Sequence, residues 1–201
     1  MKKIILSMVA VLALSTANAQ DKKDSKGFGF SEGDIYVGGL LSYTNQKDDN
    51  GTTSVTTSGY TIAPEAGYFL SDNFAITAGI SLGNTDNGTV KTNTFGVNVG
   101  GRYYFLNMGE RFKTYTNFGL GFGTDDNGGS PAEKTNSFNI GGGLGINYFV
   151  TSRLAIDFRL ANVISYTSEK TGDVKSNSLN VEANVFKNFF DTPSFGLIYK
   201  L

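Results

Sequence analysis

The chain has 201 residues, 26 of them Gly, with no Cys and no His, and a formal net charge of −1. So near-neutral a balance lacks the basic face that a nucleic-acid partner needs, and the missing Cys excludes a disulfide framework and a lipid-anchored N-terminus. Without His there is no Ser–His or Asp–His catalysis and no commonest transition-metal ligand, so no enzyme activity, metal or cofactor is expected.

The N-terminus has the three regions of a secretory signal in order. Lys2 and Lys3 supply charge, Ile4 to Leu14 an apolar run, and Ala17-Asn18-Ala19 a small-x-small cleavage site. Residues 1–19 are therefore expected to be a signal peptide, too short for a membrane-spanning helix. Its removal takes two lysines and no acid, leaving 15 basic and 18 acidic residues and a net charge of −3. Residues 20–33, with Lys22, Lys23, Asp24 and Lys26, read as a flexible lead-in. Residues 34–201 form one domain, and no later apolar run is long enough for a helical span.

From there the sequence alternates with period 2, the mark of a strand with unlike faces. Strands are expected near 34–46, 54–69, 73–84, 89–106, 111–123, 134–149, 153–168 and 174–201. In the third, Phe74, Ile76, Ala78, Ile80 and Leu82 oppose Ala75, Thr77, Gly79, Ser81 and Gly83. The fourth sets Phe95, Val97 and Val99 against Gly96, Asn98 and Gly100, and the fifth sets Phe118, Leu120 and Phe122 against Gly119, Gly121 and Gly123. A soluble sandwich or barrel would turn the large residues inward and leave glycine-rich strands in water, where they form sheets poorly. A narrow membrane barrel turns the large residues to lipid and uses the small ones to make room inside.

Four strand ends carry Gly followed by aromatics, in Gly67-Tyr68-Phe69, Gly101-Arg102-Tyr103-Tyr104-Phe105, Gly145-Ile146-Asn147-Tyr148-Phe149 and Gly196-Leu197-Ile198-Tyr199. Tyr and Phe rings suit a lipid–water boundary, so Tyr68, Tyr103, Phe105, Tyr148 and Tyr199 are assigned to an aromatic belt at one rim. Short turns follow the first three clusters, and longer polar loops tipped by Asp49-Asn50-Gly51, Asp86-Asn87-Gly88 and Asp126-Asn127-Gly128 lie at the other end. That asymmetry places the belt at the periplasmic side. Asp125-Asp126-Asn127-Gly128 lacks the spacing of a calcium loop and reads as a turn. The eighth segment exceeds one membrane crossing and is interrupted at Phe189-Phe190-Asp191-Thr192-Pro193. A bent eighth strand or a ten-strand count both accommodate it. The fold expected is all-β, a closed eight-stranded antiparallel up-and-down transmembrane β-barrel.

The run Pro64-Glu65-Ala66-Gly67-Tyr68-Phe69-Leu70-Ser71-Asp72-Asn73-Phe74-Ala75-Ile76, the Gly38-Gly39 first strand and the terminal Gly-x-x-Tyr resemble the small outer-membrane protein β-barrel family, of the OmpX and OmpA type. The resemblance implies the bacterial outer membrane, a lipid surround, a monomer and delivery by the barrel assembly machinery. It departs at the last residue, where the family's assembly signal is usually Phe and this chain has Leu201.

By parity Glu65, Arg102, Asp157 and Arg159 face the lumen, with Glu182 and Lys200 as further candidates. Charges in a dry interior must be paired, so Arg102 and Arg159 are expected to face Glu65 and Asp157 in a charge network, an ion gate being the other reading. The function expected is a filled, non-conducting barrel with a structural or surface-interaction role, and the alternative is a small ion or solute channel.

Overall fold

In the computed structural model, residues 27–49, 54–129, 133–182 and 194–201 are described. The expected signal peptide and the interruption at residues 189–193 lie outside them. Nine strand segments form one antiparallel sheet: β1 (Ile35–Asp49), β2 (Ser54–Ser71), β3 (Phe74–Asp86), β4 (Lys91–Met108), β5 (Phe112–Asn127), β6 (Glu133–Phe149), β7 (Leu154–Thr171), β8 (Val174–Val181) and β9 (Ser194–Lys200). Each strand through β7 pairs with the next. Both β8 and β9 run antiparallel to β7, β8 against Ile164–Thr171 and β9 against Leu154–Arg159. They flank the upper and lower parts of the same edge of β7, so the nine segments fill eight positions. β9 then pairs with β1 over Tyr36–Leu40 and closes the barrel.

Strands of 13 to 18 residues through β7 exceed the roughly 9–11 that a membrane crossing needs. The surplus lies at the end where the longer loops are expected. β1, β3, β5 and β7 continue to Asp49, Asp86, Asn127 and Thr171, so much of what reads as loop in the sequence is strand. Polar cross-strand pairs hold these extensions. Asn84 Nδ2 donates to Asn93 Oδ1 at 2.9 Å, and Lys91 meets Asp86 at 3.2 Å. At the β3–β4 tip Gly88 takes a φ of +82° that a side chain would resist.

The apolar faces point outward. Phe118, Phe122 and Leu197 are 54%, 55% and 57% exposed, whereas Phe69 inside is fully buried. From Phe95 to Phe105 is about 33 Å along the strand, or about 25 Å along the axis at a tilt of about 40°, the height of an outer-membrane apolar band. Above it the outward side chains turn polar, as in Asn93, Asp126 and Lys134, the last two paired at 3.6 Å. Among the described residues no helix is long and apolar enough to cross a membrane; the crossing is made by strands.

Candidate functional site

The lumen divides into two levels. The lower one is dry. Tyr36, Phe69, Tyr104, Tyr115 and Phe149 project into it, each 6% exposed or less. Their positions follow from strand parity: in Tyr68-Phe69, Tyr103-Tyr104 and Tyr148-Phe149 one ring faces out and the next faces in. Each of these three clusters thus puts one ring on the outer surface and the next into the lumen. Tyr68, Tyr103, Phe105 and Tyr199 are exposed on the outer surface, and Tyr148 packs there against Phe112 at 4.7 Å. Two glycines accommodate the inner rings. Tyr36 pairs across the strand with Gly67, and Tyr115 with Gly145. A methyl on either glycine would overlap its partner's ring.

The segment Gly27–Gly33 seals the lower mouth. Phe30 stacks on Phe69 at 4.4 Å and meets Phe149 at 5.2 Å and Tyr104 at 5.3 Å. The Arg111 guanidinium lies 4.3 Å above the Phe28 ring. Gly33 N donates to Phe69 O, Glu32 N to Asp72 Oδ1 and Lys200 Nζ to Gly29 O, at 2.9, 2.8 and 2.9 Å. Lys200 also lies 3.6 Å from Asp34. From Gly27 onward the expected flexible lead-in is therefore a packed plug. Phe28 and Phe30 alternate with Gly27, Gly29 and Ser31, and that short run is the signal in the sequence that could have found the two rings.

Above the plug, four charges from opposite walls converge. Arg102 on β4 donates from Nη2 to Glu65 Oε1 on β2 at 2.8 Å and stands 3.6 Å from Asp157 Oδ2 on β7. Arg159 reaches Glu65 Oε2 at 3.3 Å and Asp157 Oδ2 at 3.4 Å. The structure brings together all four residues that the sequence singled out. Glu182 follows β8, away from the lower lumen, and Lys200 serves the plug.

Hydroxyls and an amide complete the shell. Tyr36 Oη donates to Glu65 Oε1 at 2.8 Å and Tyr115 Oη to Asp157 Oδ1 at 2.6 Å. Asn147 Nδ2 donates to Asp157 Oδ1 at 2.8 Å, and Asn147 Oδ1 accepts from Tyr104 Oη at 2.6 Å. Arg102 Nε and Nη1 have no hydrogen-bond partner among the described residues. The guanidinium instead lies 4.2 Å from the Tyr115 ring and 5.5 Å from the Tyr36 ring, an attraction to the ring faces that strengthens when water is excluded.

The upper level is wet. A polar cavity of about 430 Å³ stands on this network and runs up to Thr94, Asp125 and Ser137. Its inward-facing Asn98, Asn139 and Asn162 are exposed, whereas Asn147, farther down the strand from Asn139, is fully buried. No group of acidic residues suited to a metal occurs among the described residues.

A family profile described as outer membrane protein beta-barrel domain matches residues 6–185. No curated protein matches the sequence. Among solved structures, the outer membrane protein OprG of Pseudomonas aeruginosa is similar at TM-score 0.50 and 14% identity, over 86% of this chain and 98% of that one. Neisserial surface protein A matches at TM-score 0.47 and 18% identity, over 83% and 97% of the two chains. The E. coli outer membrane protein W matches at TM-score 0.47 and 12% identity, over 85% and 99%. The residues matched by the profile and the closed, lipid-facing barrel agree: this chain belongs to the outer membrane protein beta-barrel domain family and is a β-barrel of the bacterial outer membrane.

Proposed function

We propose that this barrel does not conduct, and that it serves the outer membrane as a structural or surface-interaction protein, delivered by an N-terminal signal and the barrel assembly machinery and acting as a monomer. The observation that carries the reading is the fall in exposure down the inner wall. Asn98 on β4 is exposed, while Arg102, two repeats of the pleat below on the same face, is 2% exposed. Below that point charge pairs, tyrosines and the Phe28–Phe30 plug fill the bore in succession, as the interior of an eight-stranded barrel allows. The Glu65–Arg102–Asp157–Arg159 network then acts as a cross-brace. It ties β2, β4 and β7 together through the lumen, where the sheet's own hydrogen bonds reach only adjacent strands. With no His in the chain, Ser–His and Asp–His catalysis are out of reach, which favours a non-enzymatic role.

Planar-bilayer recording of the refolded mature chain tests the reading. The expected trace stays at the leak of protein-free bilayers. Steady, reproducible unitary conductance would favour the channel alternative, which needs a continuous aqueous path past Arg102 and Phe30.

A further inference from the structure

We infer that the upper lumen is a binding cup for a small, neutral, polyhydroxylated molecule, of the size and chemistry of a mono- or disaccharide. Three observations carry the inference. The cup has a definite size, about 430 Å³, within the roughly 300–1,000 Å³ typical of small-molecule sites. It has a floor, because the bore below is dry. Between the charged floor and Asp125 at the mouth, the polar side chains of its wall are the carboxamides of Asn98, Asn117, Asn139 and Asn162 and the hydroxyls of Thr77, Ser81, Thr94 and Ser137.

Carboxamides and hydroxyls both donate and accept, which matches sugar hydroxyls that do the same. The side chains of Asn98, Asn117 and Asn162 are in no hydrogen bond with other described residues, and Asn139 uses only its oxygen, accepting from Thr167 Oγ1 at 2.9 Å. These amides are therefore open to a ligand. Glycines between them, including Gly96, Gly119 and Gly121, keep the wall thin and the backbone within reach. The charges argue for neutrality. Glu65, Arg102, Asp157 and Arg159 cancel in mutual pairs, and the mouth adds one carboxylate, Asp125, already bound to Thr94 Oγ1 at 2.6 Å. An anion meets no uncompensated cation, and an apolar molecule would strand the amides without partners.

The test is titration of the full mature chain in zwitterionic micelles with maltose, read on the side-chain carboxamide NMR signals of the four asparagines. Saturable shifts confined to these four, absent with gluconate or spermidine, are expected. Asn98→Leu with Asn139→Leu should weaken binding about tenfold or more, from the loss of two hydrogen bonds. Asn98→Ala with Asn139→Ala makes the same test if the leucine pair does not assemble. Maltose in solution and the same glycan on a vesicle glycolipid separate a soluble ligand from one on the membrane, and saturation by either supports the cup. Shifts that grow without saturating, or appear equally at Asn87 and Asn127 in the hairpin tips, would overturn it, as would saturation by spermidine alone. Because binding is read separately from conductance, its failure leaves the non-conducting reading intact.

Discussion

Arg102 links both lumen carboxylates while itself only 2% exposed. Truncating it leaves two carboxylates, Glu65 and Asp157, with only the half-exposed Arg159 between them, so Arg102→Ala should destabilise the barrel by about 3–5 kcal/mol in denaturant unfolding from vesicles. Arg159→Ala should cost less, because its side chain is 36% exposed and cup water can replace it. Adding Glu65→Gln to Arg159→Ala should restore part of the loss, with a coupling of about 0.5–3 kcal/mol; purely additive losses would show that the four charges are not a network. Gly67→Ala and Gly145→Ala should each cost about 1–3 kcal/mol by overpacking, since the Tyr36 and Tyr115 rings occupy the space a methyl would take. The charged quartet was legible in the sequence because parity alone puts Glu65, Arg102, Asp157 and Arg159 on inner faces. The tyrosines that hold it were not. Tyr36 sits between the apolar Ile35 and Val37, and Tyr115 between Thr114 and Thr116, so neither stands out as an inward ring, and Phe69, Tyr104 and Phe149 sit beside outward-facing aromatics. Two adjacent aromatics on a strand face opposite ways, and that rule, applied within each cluster, would have found three of the five.

The plug and the hairpin tips are the elements whose behaviour departs most from the plain alternation of the strands. Phe30 packs against three barrel aromatics; Phe30→Ala should lower stability by about 3–5 kcal/mol and expose the segment near Gly27 to added protease. Unchanged stability and protease resistance would mean that the segment only rests on the mouth. At the β3–β4 tip, Asp86 accepts from the Gly88 N–H at 2.8 Å and pairs with Lys91. These two contacts, the amide foremost, hold its carboxyl below the usual range near 3.9. A lowered value means that the ionised form is favoured in the folded hairpin. The tip is therefore held fully above about pH 4 and loosens as pH falls through the lowered value. Gly88 amide exchange, corrected for intrinsic rate, should accelerate over that acid range in the native chain and show no such step in Asp86→Asn. The lower strand boundaries were legible to within a residue or two. The upper ones were not, because Asp, Asn, Thr and Lys read as loop, although here cross-strand pairs such as Asn84–Asn93 keep them in the sheet.

At the scale of the whole molecule the sequence carried the architecture, because only an outward apolar face and a small-residue inner face satisfy a narrow barrel in lipid. It did not carry the split of the lumen into wet and dry levels, which depends on which wall residues meet across the bore. Asn98 and Asn147 look alike in the sequence, yet only one meets a carboxylate. This division is the centre of the account, and the absence of Cys from the natural chain lets it be probed one site at a time. Single substitutions Asn98→Cys in the cup and Ala75→Cys on the buried inner wall below it, in barrels embedded in intact cells, are exposed to a charged, membrane-impermeant thiol reagent. Asn98→Cys should label rapidly from outside, and Ala75→Cys should not label until the barrel is unfolded. Labelling of Ala75→Cys from outside at a rate close to that of Asn98→Cys would show an open bore and contradict this division.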